Sequence, residues 1–319
     1  MHILVTGAAG FIGSHTAQVL VARGDTVVGI DNFDPFYARS LKERNLAEVQ
    51  ASAQGRFEFV PGDLLDPATL VELFAQGPYD VIVHLAAKAG VRPSIADPGA
   101  YVRANLEATV QLLEHCRATG HKRVVFASSS SVYGADSEAP FAEDARCDRP
   151  VSPYAATKRA GELIAHTYVH LHGFDLTCLR FFTVYGPRQR PEMAIHKFAT
   201  LLWRDQPIEQ FGDGGSSRDY TYIDDIVHGV LAAIDRPQGF AIFNLGGDRE
   251  TRLDTLVAML AQALGKQPRI VLRPDAPGDV PRTCADLTLA KAALGYAPRT
   301  PIEQGIAQFA QWFVGHGVH

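Results

Sequence analysis

Cysteine is scarce in this sequence, and its spacing excludes two kinds of framework. The 319 residues contain four cysteines (Cys116, Cys147, Cys178 and Cys284), and no two of them form a Cys-x-x-Cys pair. Zinc knuckles and disulfide frameworks depend on closely spaced or paired cysteines, so the sequence predicts neither, and no metal site is expected. Scattered single cysteines suit a reducing compartment.

Long apolar runs and basic clusters are also missing. No apolar stretch reaches the roughly 20 residues that a membrane span needs. The N-terminal apolar segment lacks the basic lead-in of a signal peptide. The formal net charge is −5, with no concentrated run of Lys or Arg, which argues against a nucleic-acid surface. We therefore expect a cytoplasmic protein that binds neither membranes nor nucleic acid.

The chain opens with an apolar strand that runs directly into a glycine loop, GAAGFIG. Gly7 permits a tight turn, Gly10 lets the backbone approach a pyrophosphate, and Gly13 lets the next helix pack against the strand. Phe11 and Ile12 begin that helix, whose N-terminus directs unpaired N–H groups at phosphates. The pattern predicts a dinucleotide-binding βαβ unit.

The second predicted strand, residues 26–30, ends at Asp31, about 20 residues beyond the glycine loop. A carboxylate at this position accepts hydrogen bonds from the adenosine ribose hydroxyls and repels a 2′-phosphate. No Lys or Arg follows immediately, because the next residues are Asn32 and Phe33. The sequence therefore favours NAD over NADP.

Strands and helices alternate through the first half of the chain, which predicts an α/β fold with a Rossmann-like, doubly wound parallel sheet. A smaller C-terminal substrate domain is expected. The predicted cofactor domain spans residues 1–180, with residues 221–246 returning to it. Residues 181–220 and 247–319 form the predicted second domain. Within it, the glycines of residues 212–215 indicate a hairpin-like turn.

Two features after the fifth strand carry candidate chemistry. Ser128–Ser131 form a serine run at the carboxyl end of that strand, where open α/β sheets bind ligands. Tyr154 and Lys158 are four residues apart on a predicted helix and share one face. A nearby ammonium favours the phenolate and lowers the pKa of a tyrosine. Tyr154 is then a candidate base for a substrate hydroxyl, and Ser129 a hydrogen-bond partner of the same oxygen.

Together these motifs resemble the extended short-chain dehydrogenase/reductase family, over essentially the whole chain. The resemblance rests on TGAAGFIG, Asp31, GDL at residues 62–64, HLAA at residues 84–87, Ser129 and Tyr154-x-x-x-Lys158. It implies a seven-stranded sheet and a homodimer formed through the helices near residues 101–117 and 153–171. It also implies that NAD is held by Gly7, Gly10, Phe11, Ile12, Gly13, Asp31, Asn32, Asp63, Leu64, Leu85, Ala86, Ala87, Tyr154 and Lys158.

Three downstream loops are similar to those of nucleotide-sugar 4-epimerases: residues 180–194, 217–225 and 278–282. Arg218 and Arg282 offer charged forks for the two phosphates of a UDP-sugar. Asp279 is a candidate for the ribose and Arg190 for the nucleotide pocket. The same resemblance adds Met193 and Ala194 to the candidate substrate site. It also implies that the second domain, residues 181–220 and 247–319, binds the nucleotide sugar.

The residues beside the catalytic candidates narrow the substrate. Related dehydratases and decarboxylases carry carboxylates where this chain has Ser130 and Ser131, so the resemblance favours epimerisation through a 4-keto sugar. UDP-glucose 4-epimerases typically have Asn at the position of Thr183. Thr183 with the two serines looks more like UDP-glucuronate 4-epimerases, because small hydroxyls suit a sugar carboxylate.

Several functions remain open from the sequence. UDP-glucose or a UDP-N-acetylhexosamine is an alternative substrate. A simple NAD-dependent reductase would differ by showing a net change in NADH, whereas an epimerase recycles its cofactor. A non-catalytic NAD-sensing protein on the same fold would not need the Tyr154–Lys158 pair.

Overall fold

The computed structural model describes residues 1–274 and 282–316. The strands are β1 (His2–Thr6), β2 (Thr26–Asp31), β3 (Phe57–Pro61), β4 (Val81–His84), β5 (Arg123–Ser129), β6 (Asp175–Phe181), β7 (Thr183–Tyr185), β8 (Ile208–Phe211), β9 (Ser217–Tyr222), β10 (Phe240–Leu245), β11 (Glu250–Arg252) and β12 (Ile270–Arg273). The helices are α1 (Phe11–Arg23), α2 (Arg39–Ser52), α3 (Pro67–Ala75), α4 (Val91–Ala96), α5 (Pro98–Val102), α6 (Ala108–Thr119), α7 (Pro153–His172), α8 (Ala194–Trp203), α9 (Ile223–Asp235), α10 (Leu253–Leu264), α11 (Thr288–Leu294) and α12 (Ile302–Gly315).

A seven-stranded parallel sheet forms the centre of the molecule, in the order β10-β6-β5-β4-β1-β2-β3. Val5 of β1 lies opposite Gly29 of β2 on one side and Val83 of β4 on the other. The chain reverses its direction of sheet growth between β1 and β4, and such a switch point leaves a crevice at the carboxyl ends of the strands. The predicted doubly wound sheet is confirmed, and the predicted strand at residues 241–245 returns to it as β10.

The strands are apolar on both faces because helices cover both sides of the sheet. Ile3 and Val5 pack into one buried cluster, and Leu4 between them packs into the cluster on the opposite face. All three residues are fully buried. This two-sided core holds the strand ends in register beneath the crevice.

The prediction that residues 212–215 form a hairpin-like turn between paired strands is wrong. The strands on either side of it, β8 and β9, do not pair with each other: β8 pairs in parallel with β12, whereas β9 pairs with β7 and β11. The Gly215 N–H donates to Asp213 Oδ1 over 2.7 Å, and the Gly212 N–H donates to Arg273 O over 2.9 Å. These local and long-range bonds turn the chain from one small sheet into the other.

The long helix predicted at residues 101–117 is interrupted. A π-helical turn, Arg103–Glu107, separates α5 from α6. Within that turn the Asn105 amide binds both the N–H and the carbonyl of Lys88, over 2.7 and 2.9 Å. The irregular turn thereby fixes the loop that follows β4. No helix within residues 1–274 and 282–316 combines the length and the apolar character that crossing a membrane requires.

Candidate active site

The crevice at the strand ends opens into a cavity of about 560 Å³. Loops after β1, β2 and β4, the end of β5 and the start of α7 form its wall. Twenty of the residues predicted from the sequence line it: Gly7, Gly10, Phe11, Ile12, Gly13, Asp31, Asn32, Asp63, Leu64, Leu85, Ala86, Ala87, Ser129, Ser130, Ser131, Tyr154, Lys158, Thr183, Arg190 and Met193.

Three predicted residues lie elsewhere. Ala194 begins α8 beside Met193 but is not part of the cavity wall. The Arg218 guanidinium donates to Ser217 O, and Arg282 forms an ion pair with Glu250 over 2.6 Å. The structure therefore does not bring the two arginines to the wall of this cavity. Asp279 lies outside the described residues.

The glycine loop is a cradle that side chains would fill. Gly7 has a φ of +72°, and a Cβ there would lie 2.9 Å from the Ala86 backbone nitrogen. A Cβ on Gly13 would lie 2.0 Å from Gly7 O. No side chain caps the first turn of α1, so its N–H groups remain available to a ligand. These residues fit the diphosphate of a dinucleotide.

Asp31 is a buried carboxylate at the edge of this cradle. It accepts hydrogen bonds from the N–H groups of Ala9 and Phe33, over 3.2 and 2.8 Å. The Lys42 ammonium lies 3.5 Å from Asp31 Oδ1. No Lys or Arg follows Asp31 immediately in the sequence, but α2 brings Lys42 back to the end of β2.

The pKa of the Tyr154 phenol shifts in the opposite direction to the one expected. Burial raises the pKa of Tyr154 above its ordinary value of 10, and the hydrogen bond with Ser129 and the Arg190 charge offset only part of that effect. The predicted lowering by Lys158 is not seen. In this structure the Lys158 ammonium donates to Ala127 O over 2.7 Å, and burial lowers the pKa of Lys158 itself to about 8.

A buried ion pair fixes the helix face behind these residues. The Glu162 carboxylate, one turn beyond Lys158 on α7, accepts hydrogen bonds from Ser128, Arg159 and Arg180 over 2.6–2.9 Å. Glu162 and Arg180 are almost completely buried. The hydrogen bond from Ser128 connects α7 to the end of β5. It therefore fixes Ser129, the next residue of β5, relative to Lys158 on α7.

The loop after β7 positions Arg190, another polar residue of the wall. Arg188, buried at a φ of +63°, pairs with Glu48 on α2 and donates to Gln18 Oε1 on α1 over 2.7 Å. Two residues on, Arg190 lies 3.1 Å from Glu192 and 5.7 Å from the centre of the Phe36 ring. The contacts of Arg188 with α1 and α2 fix this loop, so Arg190 lies at the cavity that the glycine loop lines.

Sequence reasoning missed five polar residues of the cavity wall: Asp34, Tyr37, Lys42, Lys88 and Arg103. Lys88 follows the HLAA motif directly and forms an ion pair with Asp34 over 2.8 Å, so its position beside a predicted cofactor loop was a usable signal. Tyr37, Lys42 and Arg103 carry no motif, because tertiary packing alone brings them to the cavity.

Comparison with known proteins identifies the family. Residues 3–246 match the NAD dependent epimerase/dehydratase family. UDP-glucuronate 4-epimerase 2 of Arabidopsis thaliana is 43% identical over 332 residues, covering 98% of this chain and 76% of that protein. This chain belongs to the NAD dependent epimerase/dehydratase family, and the resemblance inferred from its motifs is confirmed.

Solved structures agree with that assignment. UDP-glucuronic acid 4-epimerase from Bacillus cereus, in complex with UDP-glucuronic acid and NAD, is 37% identical with a TM-score of 0.91, covering 99% of this chain and 100% of that one. UDP-glucose 4-epimerase from Thermotoga maritima, with UDP-glucose, is 31% identical with a TM-score of 0.90, covering 99% of both chains. The two neighbours differ in the sugar, so the residues around the sugar decide between them.

Proposed function

We propose that this protein interconverts UDP-glucuronate and UDP-galacturonate by NAD-dependent epimerisation at C4 of the sugar. The observation that carries the proposal is one cavity lined by the glycine cradle, Tyr154, the serine run and Thr183. The Arabidopsis and Bacillus relatives, both named for this reaction, support it.

When bound, NAD supplies a reversible hydrogen acceptor for C4 of the sugar. Tyr154 takes the proton of the C4 hydroxyl and later returns it, and Ser129 orients that oxygen. Burial raises the pKa of Tyr154, so a positive charge beside the phenol is needed to favour the phenolate. The Lys158 ammonium donates to Ala127 O near the end of β5, and it adds a positive charge to the pocket.

We assign the sugar carboxylate to the hydroxyls of Ser130, Ser131 and Thr183. All three line the cavity and none carries a charge. A 4-keto glucuronate is a β-keto acid and loses CO₂ when the carboxylate bond aligns with the carbonyl π system. Several neutral donors fix the carboxylate away from that alignment and leave no acid or base to assist elimination.

A panel of UDP-sugars tests the proposal. The protein is incubated separately with UDP-glucuronate, UDP-glucose and UDP-N-acetylglucosamine, and the products are resolved by NMR while NADH absorbance is followed. We expect UDP-galacturonate from the acid, at a rate well above that with either neutral sugar, and no net NADH. Faster turnover of UDP-glucose would support the function of the Thermotoga relative, and a net change in NADH would support an NAD-dependent reductase or dehydrogenase.

We also propose a homodimer built on α6 and α7. Leu163 and Leu171 on α7 and Val102 at the end of α5 are 54%, 67% and 47% exposed. An interface between two copies of the chain through these helices would bury these three side chains. The cytoplasm is the proposed location, and the four cysteines, all free and within the described residues, are consistent with it.

A further inference from the structure

Arg218 and Arg282, the two expected ligands of a diphosphate, both contact Ser217 at the start of β9. The Arg218 guanidinium donates to Ser217 O over 2.9 Å. Arg282 lies opposite Ser217 in an isolated parallel bridge, and the N–H of Thr283 donates to Ser217 O over 3.2 Å. Residues that are far apart in the sequence therefore meet at one end of β9.

A carboxylate holds the guanidinium of Arg282 at this point. Glu250, the first residue of β11, accepts from Arg282 Nε on both of its oxygens, over 2.6 and 2.7 Å. Arg282 Nη2 lies 2.6 Å from Glu250 Oε1. Ser217 Oγ also donates to Glu250 Oε2 over 2.6 Å. The Arg282 guanidinium holds the pKa of Glu250 below its ordinary value of 4.5, so the carboxylate is charged at neutral pH.

The same N–H donors of a guanidinium bind either a carboxylate or a phosphate. Glu250 therefore uses the donors of Arg282 that a diphosphate would use. We propose that Glu250 competes with the UDP diphosphate for Arg282 and thereby sets the affinity of the protein for its sugar nucleotide. This competition accounts for the position of Arg282 away from the cavity wall. The inference rests on the UDP-sugar substrate proposed above, but not on which sugar it carries.

The size of the effect follows from the strength of the ion pair. Apparent affinity falls in proportion to the fraction of a protein that is competent to bind. The Arg282 side chain is 59% exposed, and an exposed ion pair shifts an equilibrium by up to about fivefold. Glu250→Gln removes the charge but keeps an oxygen that can accept from Ser217. We expect the Kd of the holoenzyme for UDP, measured by calorimetry at neutral pH, to fall about three- to fivefold.

Two further variants separate competition from other effects of the substitution. Arg282→Gln is expected to weaken UDP binding, and Glu250→Gln is expected to have no further effect in that background, because the guanidinium is gone. Asp235→Asn is the matched control, because it removes the carboxylate of another two-oxygen arginine pair, with Arg23 over 2.9 Å. Its Kd for UDP is expected to equal that of the parent. Melting of each holoenzyme near the temperature of the parent shows that the variant is folded.

An affinity for UDP that is unchanged or weaker in Glu250→Gln would overturn the inference. A gain in affinity that persists without Arg282 would overturn it as well, because the effect would then come from the charge at long range. Both results leave the proposed function intact, since the parent still binds UDP. A parent holoenzyme that binds no UDP would contradict the proposed function and the inference together.

Discussion

At the scale of single residues, Tyr154 is the group whose chemistry the proposed reaction needs most. Its burial raises its pKa, so the phenol alone is a poor base near neutral pH. We expect turnover in Tyr154→Phe to fall by about 10²- to 10⁴-fold, the range for loss of an acid–base group. Bound NAD per protomer is expected to stay unchanged, as measured by the absorbance of the released nucleotide. Retained turnover would favour a different base, and lost NAD would favour a binding role.

Thr183 bears on the choice of sugar. It lies on β7 at the cavity wall, opposite Tyr220 in the neighbouring strand. Thr183→Ala removes one proposed donor to the sugar carboxylate, so we expect activity on UDP-glucuronate to fall about tenfold or a UDP-4-keto-pentose to accumulate. Mass spectrometry of the product detects the loss of CO₂. Unchanged kinetics with an unchanged product would contradict the assignment.

At the scale of elements, a buried histidine connects β1, β4 and α6. Ala86 N–H donates to Thr6 Oγ1, and the Thr6 hydroxyl forms a hydrogen bond with His84 Nδ1 over 2.8 Å. Thr109 donates to Asn105 O, so its oxygen accepts from His84 Nε2 over 3.0 Å. The neutral tautomer of His84 with its hydrogen on Nε2 satisfies all of these hydrogen bonds. It ties the strand of the glycine loop to the π-helical turn.

This network predicts a pH dependence of stability. Burial, and to a smaller extent the Lys158 charge, lowers the pKa of His84 from 6.5 to about 3. Between these values the unfolded chain binds a proton that the folded protein does not, so stability falls as pH falls below 6.5. From pH 6.5 to about pH 5 the loss from His84 is about 2 kcal/mol. His84→Asn is expected to lower stability but to lose that part of the pH dependence in urea unfolding. An equal pH dependence in variant and parent would contradict this account.

The elements also differ in how well the sequence predicts them. The glycine loop, the carboxylate at the end of β2 and the Tyr154–Lys158 helix were predictable, because each depends on neighbours close in the chain. The pairing of β8 with β12 was not, since Ile208 lies opposite Ile270 with no turn between them. Lys42 and Tyr37 were missed for a similar reason: the fold of α2 and of the loop before it, and not a motif, brings them to the cavity.

At the scale of the whole molecule, the proposed homodimer depends on the exposed side of α7. Leu163→Glu places a charge in the middle of that surface, so we expect the dimer to dissociate to a monomer in light scattering. Val71→Glu on α3, at a site 62% exposed, is the control and is expected to leave the dimer intact. A monomeric parent, or a Leu163→Glu variant that stays dimeric, would show that this surface is not the interface.

Deuterium at C4 of UDP-glucuronate gives the most direct test of the proposed reaction. Removal and return of the same hydrogen within one closed cavity requires that UDP-galacturonate retain the label at C4, with no deuterium released to solvent. NMR of the product in ordinary water measures both quantities. Full retention is the predicted result. Release of the label to water, or incorporation of solvent hydrogen at C4, would contradict oxidation and return at C4 as the chemistry of this protein.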